Sequence, residues 1–334
     1  MRAVLCRRWA GPEALTLEET DPPQAGPGEV LLRVEAAGLN FADCLMIEGK
    51  YQERPAFPFA PGLEAAGEVA AVGEGVTRVS PGDRVMALTD SGAFAEAAVA
   101  RESGVFKIPD TMDWATAAGF PITYGTAHGA LRWHADLQAG ETLVVHGAAG
   151  GVGLAAVEVG KALGAQVIAT AGGRDKLAVA QAHGADHLID YRDEDIRKRV
   201  KAITDGRGAD VIFDPVGGPV FEASLRSIAW RGRLLVIGFA GGQVPQIPAN
   251  ILLVKNIAAM GVYWGSYRKK DPARLQSEFT ELFDWWQAGK LKPHVSHCLP
   301  LAEAAAALDL LKARKSTGKV VLTMTARTSA EAAG

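Results

Sequence analysis

The chain has 334 residues, enough for two domains that each bury a core of their own. Hydrophobic content of 48% and charged content of 22% are ordinary for a soluble enzyme. A formal net charge of −3 gives no electrostatic reason to expect nucleic acid or an anionic membrane as the main partner, and no apolar run approaches the ~20 residues of a membrane span. The stretch Met1 to Cys6 lacks the apolar core and cleavage pattern of a signal peptide and reads as a strand. Cys6, Cys44 and Cys298 are odd in number and widely spaced, which argues against a disulfide framework and for a reducing compartment. A cytoplasmic enzyme is the expectation.

Residues 1 to about 110 carry short strand-like runs broken by Gly and Pro: Glu29 to Val34, Glu68 to Val72, Arg84 to Leu88 and Ala93 to Val99, with turns at Pro27-Gly28 and Pro81-Gly82-Asp83. This all-β pattern predicts a partly open barrel. From about Ala115 to Ala259 strands and helices alternate. The strands are Val144–His146, Gln166–Thr170, His187–Ile189, Ala209–Asp214, Arg233–Gly238 and Ile257–Val262; the helices are Leu154–Leu163, Asp175–His183, Asp193–Thr204 and Val220–Ile228. Such alternation predicts an α/β fold with a Rossmann-type, doubly wound parallel sheet. Helices over Leu275–Ala288 and Leu301–Arg314 and a strand over Lys319–Met324 follow, and the small, polar run from Thr325 to Gly334 reads as a frayed end.

The richest motif is Ala148-Ala149-Gly150-Gly151-Val152-Gly153, between a strand and a helix-periodic run. A dinucleotide pyrophosphate needs this arrangement, because small residues let the backbone approach and a helix N-terminus offers free N–H groups. The usual first glycine is alanine here. An NAD site places Asp or Glu roughly 20 residues further on, at the end of the next strand, where it accepts from the ribose hydroxyls. This chain has Ala171-Gly172-Gly173 there, followed by Arg174 and Lys176. Losing the carboxylate removes repulsion against a 2′-phosphate and the cations add attraction, so NADPH is expected over NADH. Solvated charges at a helix start are the other reading of Arg174 and Lys176.

The chain resembles the medium-chain dehydrogenase/reductases, and among them the ζ-crystallin-like NADPH:quinone oxidoreductases. The resemblance runs through Gly38-Leu39-Asn40-Phe41-Ala42-Asp43, Gly49-Lys50-Tyr51, Pro61-Gly62-Leu63-Glu64-Ala65-Ala66-Gly67 and Pro81-Gly82-Asp83-Arg84-Val85. It continues through the glycine motif to Asp190-Tyr191 and covers nearly the whole chain. It implies a GroES-like, mainly-β substrate domain over 1–117, a dinucleotide-binding Rossmann domain over 118–262, and a C-terminal segment, 263–334, returning to the first domain, with the cofactor in a cleft.

Zinc-dependent members of that superfamily carry Cys where Asn40 stands and His where Leu63 stands, with a further ligand near Phe120 and a four-Cys structural lobe. None is present, so the resemblance implies a zinc-free enzyme. His294 and His297 could form half a metal site, but loop residues are the simpler reading. Without a metal, charge on the substrate oxygen must be met by hydrogen-bond donors. The resemblance suggests Asn40 and Tyr51, with a turn residue and a half-buried aromatic as the respective alternatives. Asp43 and Glu64 read as structural, and nothing indicates a lowered pKa for Cys44. For the cofactor, Thr123 and Thr126 open a helix facing the nicotinamide or serve only as helix caps. Gly150, Gly151, Val152, Gly153 and Gly172 approach the phosphates and ribose, and Gly238 and Phe239 end a strand on the crevice side. Lys176, Tyr191 and Arg314 match the positions around the 2′-phosphate.

The resulting expectation is a zinc-independent, NADPH-dependent oxidoreductase that transfers hydride to a quinone or related α,β-unsaturated carbonyl. A 2-enoyl thioester or enone reductase is the first alternative, for which Arg54, Arg268, Lys269 and Lys270 are candidates to hold a coenzyme A phosphate, a solvated loop being the commoner reading of such a run. A non-catalytic NADPH-binding protein is the second. An apolar final sheet strand, Ile257 to Tyr263, predicts a homodimer, since pairing across a two-fold axis removes an open edge.

Overall fold

In the computed structural model, residues 1–324 are described; the frayed end expected from Thr325 lies outside them. The chain divides into two compact units. One takes residues 1–122, 268–279 and the chain from Pro293; the other takes 123–267 and 280–292.

In chain order the first unit begins with β1 (Arg2–Leu5), β2 (Thr16–Glu19), β3 (Glu29–Gly38), α1 (Phe41–Ile47), β4 (Glu64–Val72), β5 (Arg84–Leu88), β6 (Ala97–Arg101), β7 (Val105–Lys107) and α2 (Trp114–Gly119). Alternation along β3 buries Val30, Leu32 and Val34 on one face, and these pack with Val69, Val85 and Phe94 in the unit's core. The strand expected over Ala93–Val99 starts only at Ala97. Before that point the segment answers β1, through Val4 N–H to Phe94 O and a bridge between Ala3 and Ala95, and only then turns to pair with β3.

The second unit holds most of α3 (Pro121–His128), followed by a π-helical turn, Gly129–His134. Then come β8 (Thr142–His146), α4 (Gly151–Ala162), β9 (Gln166–Ala171), α5 (Arg174–Ala182), β10 (His187–Asp190), α6 (Ile196–Ile203), β11 (Ala209–Asp214), α7 (Pro219–Ser227), β12 (Ile228–Val236), α8 (Ala249–Lys255) and β13 (Ala258–Gly261). The six strands are parallel in the order β10-β9-β8-β11-β12-β13, so connectivity reverses between β8 and β11. Ligands of such sheets bind beyond the strand C-termini at that reversal. Nothing in the sequence pattern announced α8; its Leu253 and Val254 are exposed, so it has no buried stripe to read.

The last elements are α9 (Tyr267–Lys270), α10 (Pro272–Gln287), β14 (Val295–Pro300), α11 (Ala304–Lys312) and β15 (Lys319–Thr323). Strands β14 and β15 extend the first unit's sheet, in the order β14-β15-β3-β4-β5-β7. The C-terminal segment expected to return whole over 263–334 is divided. Leu275 and Phe279 are buried, Phe279 against Phe106, whereas Glu281 bonds His128 at 2.9 Å and the Lys292 N–H donates to Glu158 at 3.0 Å. Residues 280–292 thus belong to the second unit.

Candidate active site and cofactor cradle

In the first unit the site grows from the end of β3. Asn40 N-caps α1: its backbone N–H donates to Asp43 Oδ2 at 2.7 Å, the reciprocal arm of a capping box. The side chain of Asn40 faces a buried ion pair. Lys319 Nζ, on β15, donates to Asn40 Oδ1 at 2.9 Å, to Glu64 Oε1 at 2.6 Å and to Leu39 O at 2.5 Å. Asn40 Nδ2 donates to Glu64 Oε1 at 2.9 Å, and the Ile122 N–H at the start of α3 donates to Glu64 Oε2 at 2.8 Å. Lysine can only donate and a carboxylate can only accept, so the carboxamide has one orientation here. One Nδ2 hydrogen goes to Glu64 and the other has no partner among the described residues. Gly38 makes this approach possible, since a Cβ there would lie 3.0 Å from Glu64 Cδ.

Asp43 is fully buried, and Oδ1 has no hydrogen-bond partner among the described residues. Burial pushes its carboxyl up to about 7, against the opposing pull of the Asn40 N–H and the Lys319 charge. The structural role expected of Asp43 and Glu64 is what the hydrogen bonds display. Glu64 also meets the start of α3 through the Ile122 N–H, and Thr123 and Thr126 are both buried within that helix. Burial also pushes the Cys44 thiol up to about 12, with Asp43 adding to the rise, which leaves it unreactive. Tyr51 is half-buried against the cluster that contains Leu39, Cys44 and Met46. Its segment is braced by Trp9, which lies on Gly49 and packs on Phe57 with ring centroids 4.4 Å apart. This aromatic brace escaped the sequence reading, because Trp9 stands among charged residues far from Tyr51 in the chain.

In the second unit β8 runs into Gly147, which adopts φ +58 and makes the turn. The conformational role of the missing first glycine has moved one residue ahead of Ala148. Gly150 N-caps α4 with no side-chain cap, so the first-turn N–H groups of Gly151, Val152 and Gly153 are left for an anion. A Cβ at Gly153 would lie 2.8 Å from Gly147 C and 3.0 Å from Ala148 Cα, so only glycine lets the helix pack this closely on the turn.

At the neighbouring strand end, the N-cap of α5 is Gly173, again without a side-chain cap, and Lys176 follows in the first turn. Tyr191 and Gly172 are brought together: a Cβ on Gly172 would lie 2.7 Å from the phenol oxygen. Arg314 lies just beyond α11 in the first unit, with a positive φ of 55°. Gly238 and Phe239 follow β12, and their loop is pinned to the one after β11 by Ala240 N–H to Pro215 O, 3.0 Å, and Gly241 N–H to Val216 O, 2.8 Å. The loop after β11 was missed from sequence. Asp214 shapes it by accepting from the Val216 and Gly217 N–H groups at 2.8 and 3.0 Å, and the signal was an Asp-Pro-x-Gly-Gly run closing a strand. Within the second unit, the uncapped helix starts, the small residues and Lys176 fit a phosphorylated dinucleotide.

Residues 26–110 match the alcohol dehydrogenase GroES-like domain family, and residues 151–287 match the zinc-binding dehydrogenase family. A quinone oxidoreductase-like protein 2 homolog from Nematostella vectensis is 44% identical over 325 residues, covering 96% of this chain and 88% of that protein. The chain belongs to the quinone oxidoreductases of the medium-chain dehydrogenase/reductase family. Among solved members, the quinone oxidoreductase of Escherichia coli complexed with NADPH is 31% identical with a TM-score of 0.91, covering 97% of this chain and 100% of that one. A mycobacterial protein complexed with NADPH is 34% identical with a TM-score of 0.92 and the same coverage.

One matching family is described as zinc-binding, and the donors here do not fit that ion. Leu63 has no donor atom, and Asn40 Oδ1 already accepts from Lys319. His294 Nε2 lies 2.9 Å from Thr317 Oγ1, and His297 Nδ1 lies 2.9 Å from Ser296 Oγ. Two of the cations suggested for coenzyme A are committed to acids: Arg268 to Asp90 at 2.8 Å and Lys269 to Glu53 at 3.6 Å.

Proposed function

We propose that this oxidoreductase uses NADPH to reduce a quinone or a related α,β-unsaturated carbonyl without zinc. The observation that carries the reading is the clamped carboxamide of Asn40. Its oxygen is held by Lys319 and one N–H by Glu64, so the remaining N–H is a preorganised donor where metal-dependent relatives would hold a ligand. Bound NADPH supplies the hydride. The chain's part is to orient the acceptor, to keep water away, and to meet the charge that develops on the carbonyl oxygen. Asn40 meets it with the free amide hydrogen and Tyr51 with its phenol, which can donate a hydrogen bond or a proton. Gly150 to Gly153 bind the pyrophosphate, Thr123, Thr126, Gly238 and Phe239 border the nicotinamide, and Gly172, Lys176, Tyr191 and Arg314 attend the adenosine ribose and its 2′-phosphate. The names of the relatives support a quinone. The pairing of Arg268 and Lys269 with carboxylates counts against a coenzyme A thioester. Buried thiols at Cys6 and Cys44 accord with a reducing compartment, the cytoplasm, and no helix among the described residues is long and apolar enough to cross a membrane.

NADPH oxidation with panels of quinones, enones and enoyl thioesters, on protein dialysed against a chelator, tests the assignment. Turnover of quinones and enones should survive dialysis; activity that returns only with added zinc would refute it. In the same assay Tyr51→Phe, which keeps the ring, should lower kcat/KM for an enone by about 10²–10³-fold, and less for the intrinsically reactive quinone. Unchanged rates on both would make Tyr51 a wall of the pocket.

We also infer a homodimer through β13. That strand ends the six-stranded sheet with its outer edge unpaired among the described residues, and Tyr263, Leu253 and Val254 are exposed apolar side chains on adjoining segments. Sedimentation at micromolar concentration should give a dimer or an assembly of dimers; a monomer would exclude this pairing.

A further inference from the structure

The 2′-phosphate end of the cradle contains a carboxylate that the glycine-rich strand end had removed from its usual place. Asp190 closes β10, and its register partner on β9 is Ala171, the residue just before Gly172. Its carboxylate therefore stands at the level where an NAD site keeps its ribose acceptor, one strand over. The Gly173 N–H faces this carboxylate. Left alone, such a charge would repel a 2′-phosphate and accept a hydrogen bond from an unphosphorylated ribose.

It is not left alone. Arg192 grips Asp190 through Nε to Oδ1 and Nη2 to Oδ2, both at 3.3 Å, and through its backbone N–H at 3.1 Å. The grip lays the guanidinium over Gly173, where a Cβ would lie 2.9 Å from Arg192 Cζ and overlap Nη2. Gly173 is thus doubly constrained, by its φ of 103° and by the arginine covering it. The loop is fixed beneath this pair by the Tyr191 N–H on Ala171 O and the Asp193 and Glu194 N–H groups on Asp190 O. The guanidinium and the Tyr191 phenol accordingly cover two successive glycines at the start of α5, and more than half of the arginine side chain stays in contact with solvent.

We propose that Arg192, held in place by Asp190, is a ligand of the cofactor's 2′-phosphate and sets the preference for NADPH over NADH. The arginine neutralises the Asp190 carboxylate at this strand end and offers its remaining N–H groups to the phosphate. The inference rests on the NADPH reading above and adds to Lys176, Tyr191 and Arg314 a residue that sequence reasoning had passed over.

Calorimetric titration of the full chain with NADPH, NADH and adenosine 2′,5′-bisphosphate provides the test. Arg192→Ala should weaken NADPH and the bisphosphate by about tenfold or more, the worth of a charged hydrogen bond, and leave NADH unchanged or bound more tightly. Asp190→Asn, which removes the negative charge and leaves the arginine, should keep or improve NADPH affinity. Equal losses of NADPH and NADH in Arg192→Ala, or no loss of either, would overturn the assignment. A wild-type protein that binds NADH as tightly as NADPH and ignores the bisphosphate would instead refute the cofactor reading itself. Arg192 lies exposed on a turn and Asp190→Asn keeps the shape of the side chain it replaces, so the variants keep the fold, and an unchanged thermal midpoint checks this.

Discussion

Lys319→Met is expected to lower the unfolding free energy by about 3–5 kcal/mol, because it strands one charge of a buried pair. Glu64 has no exposed surface, and with Lys319 gone its Oε1 keeps only the Asn40 amide as a donor. Leu39 O also loses the ammonium that satisfies it. In a unit of this size the thermal midpoint should fall by roughly 10 °C. The double variant Glu64→Gln, Lys319→Met should recover part of that loss, since it removes both charges, and the shortfall from additivity measures the coupling. Urea unfolding of the wild type, both single variants and the double variant provides the measurement. A Lys319→Met protein within about 1 kcal/mol of wild type would mean that the pair adds little to the fold.

Asp43 should give the chain a stability that declines as the pH rises through the weakly acidic range. An ordinary aspartate in the unfolded chain loses its proton near pH 4, whereas in the folded state burial holds the carboxyl at about 7. Between those values the folded state binds more protons than the unfolded state. The slope of unfolding free energy with pH is therefore negative for this group, and the stabilisation present below about pH 4 is gone above pH 7. The full shift corresponds to a loss of about 4 kcal/mol. Asp43→Asn cannot titrate and should remove this slope, whatever it does to absolute stability. Unfolding curves at intervals from pH 4 to 8 should show wild type and variant diverging steadily; parallel curves would mean that Asp43 does not hold a proton in the folded state. Because the Lys319 charge pulls the Asp43 carboxyl down, Lys319→Met should also carry the upper end of this window beyond pH 7.

What the amino-acid order determined was whatever depends on neighbours along the chain. The glycine run after β8, the alternation of strands and helices that follows, and the replacement of an acid by Ala171-Gly172-Gly173 are local patterns with local causes. Turn sterics, helix periodicity and the reach of a strand end can all be read without knowing the fold, and together they pointed to a phosphorylated dinucleotide on a doubly wound sheet. The resemblance carried by the segments around Asn40 and Leu63 supplied the expectation of metal-free chemistry.

Tertiary structure decided what acts across long separations. Lys319 is 279 residues from Asn40 and 255 from Glu64, and it reaches them only because β15 pairs with β3 and so joins a sheet begun near the N-terminus. In the sequence it is one lysine before a run of valines, with nothing to mark it as the group that orients an amide. Asp190 and Arg192 are two residues apart, yet their meaning depends on the register that sets Asp190 opposite Ala171 and on the turn that folds the guanidinium over Gly173. The C-terminal segment is likewise divided by its packing, with 268–279 in the first unit and 280–292 in the second, where Glu281 meets His128 and the Lys292 N–H meets Glu158. Hydrogen bonds that satisfy buried charge are made between distant parts of a chain, and their geometry exists only once the strands have paired.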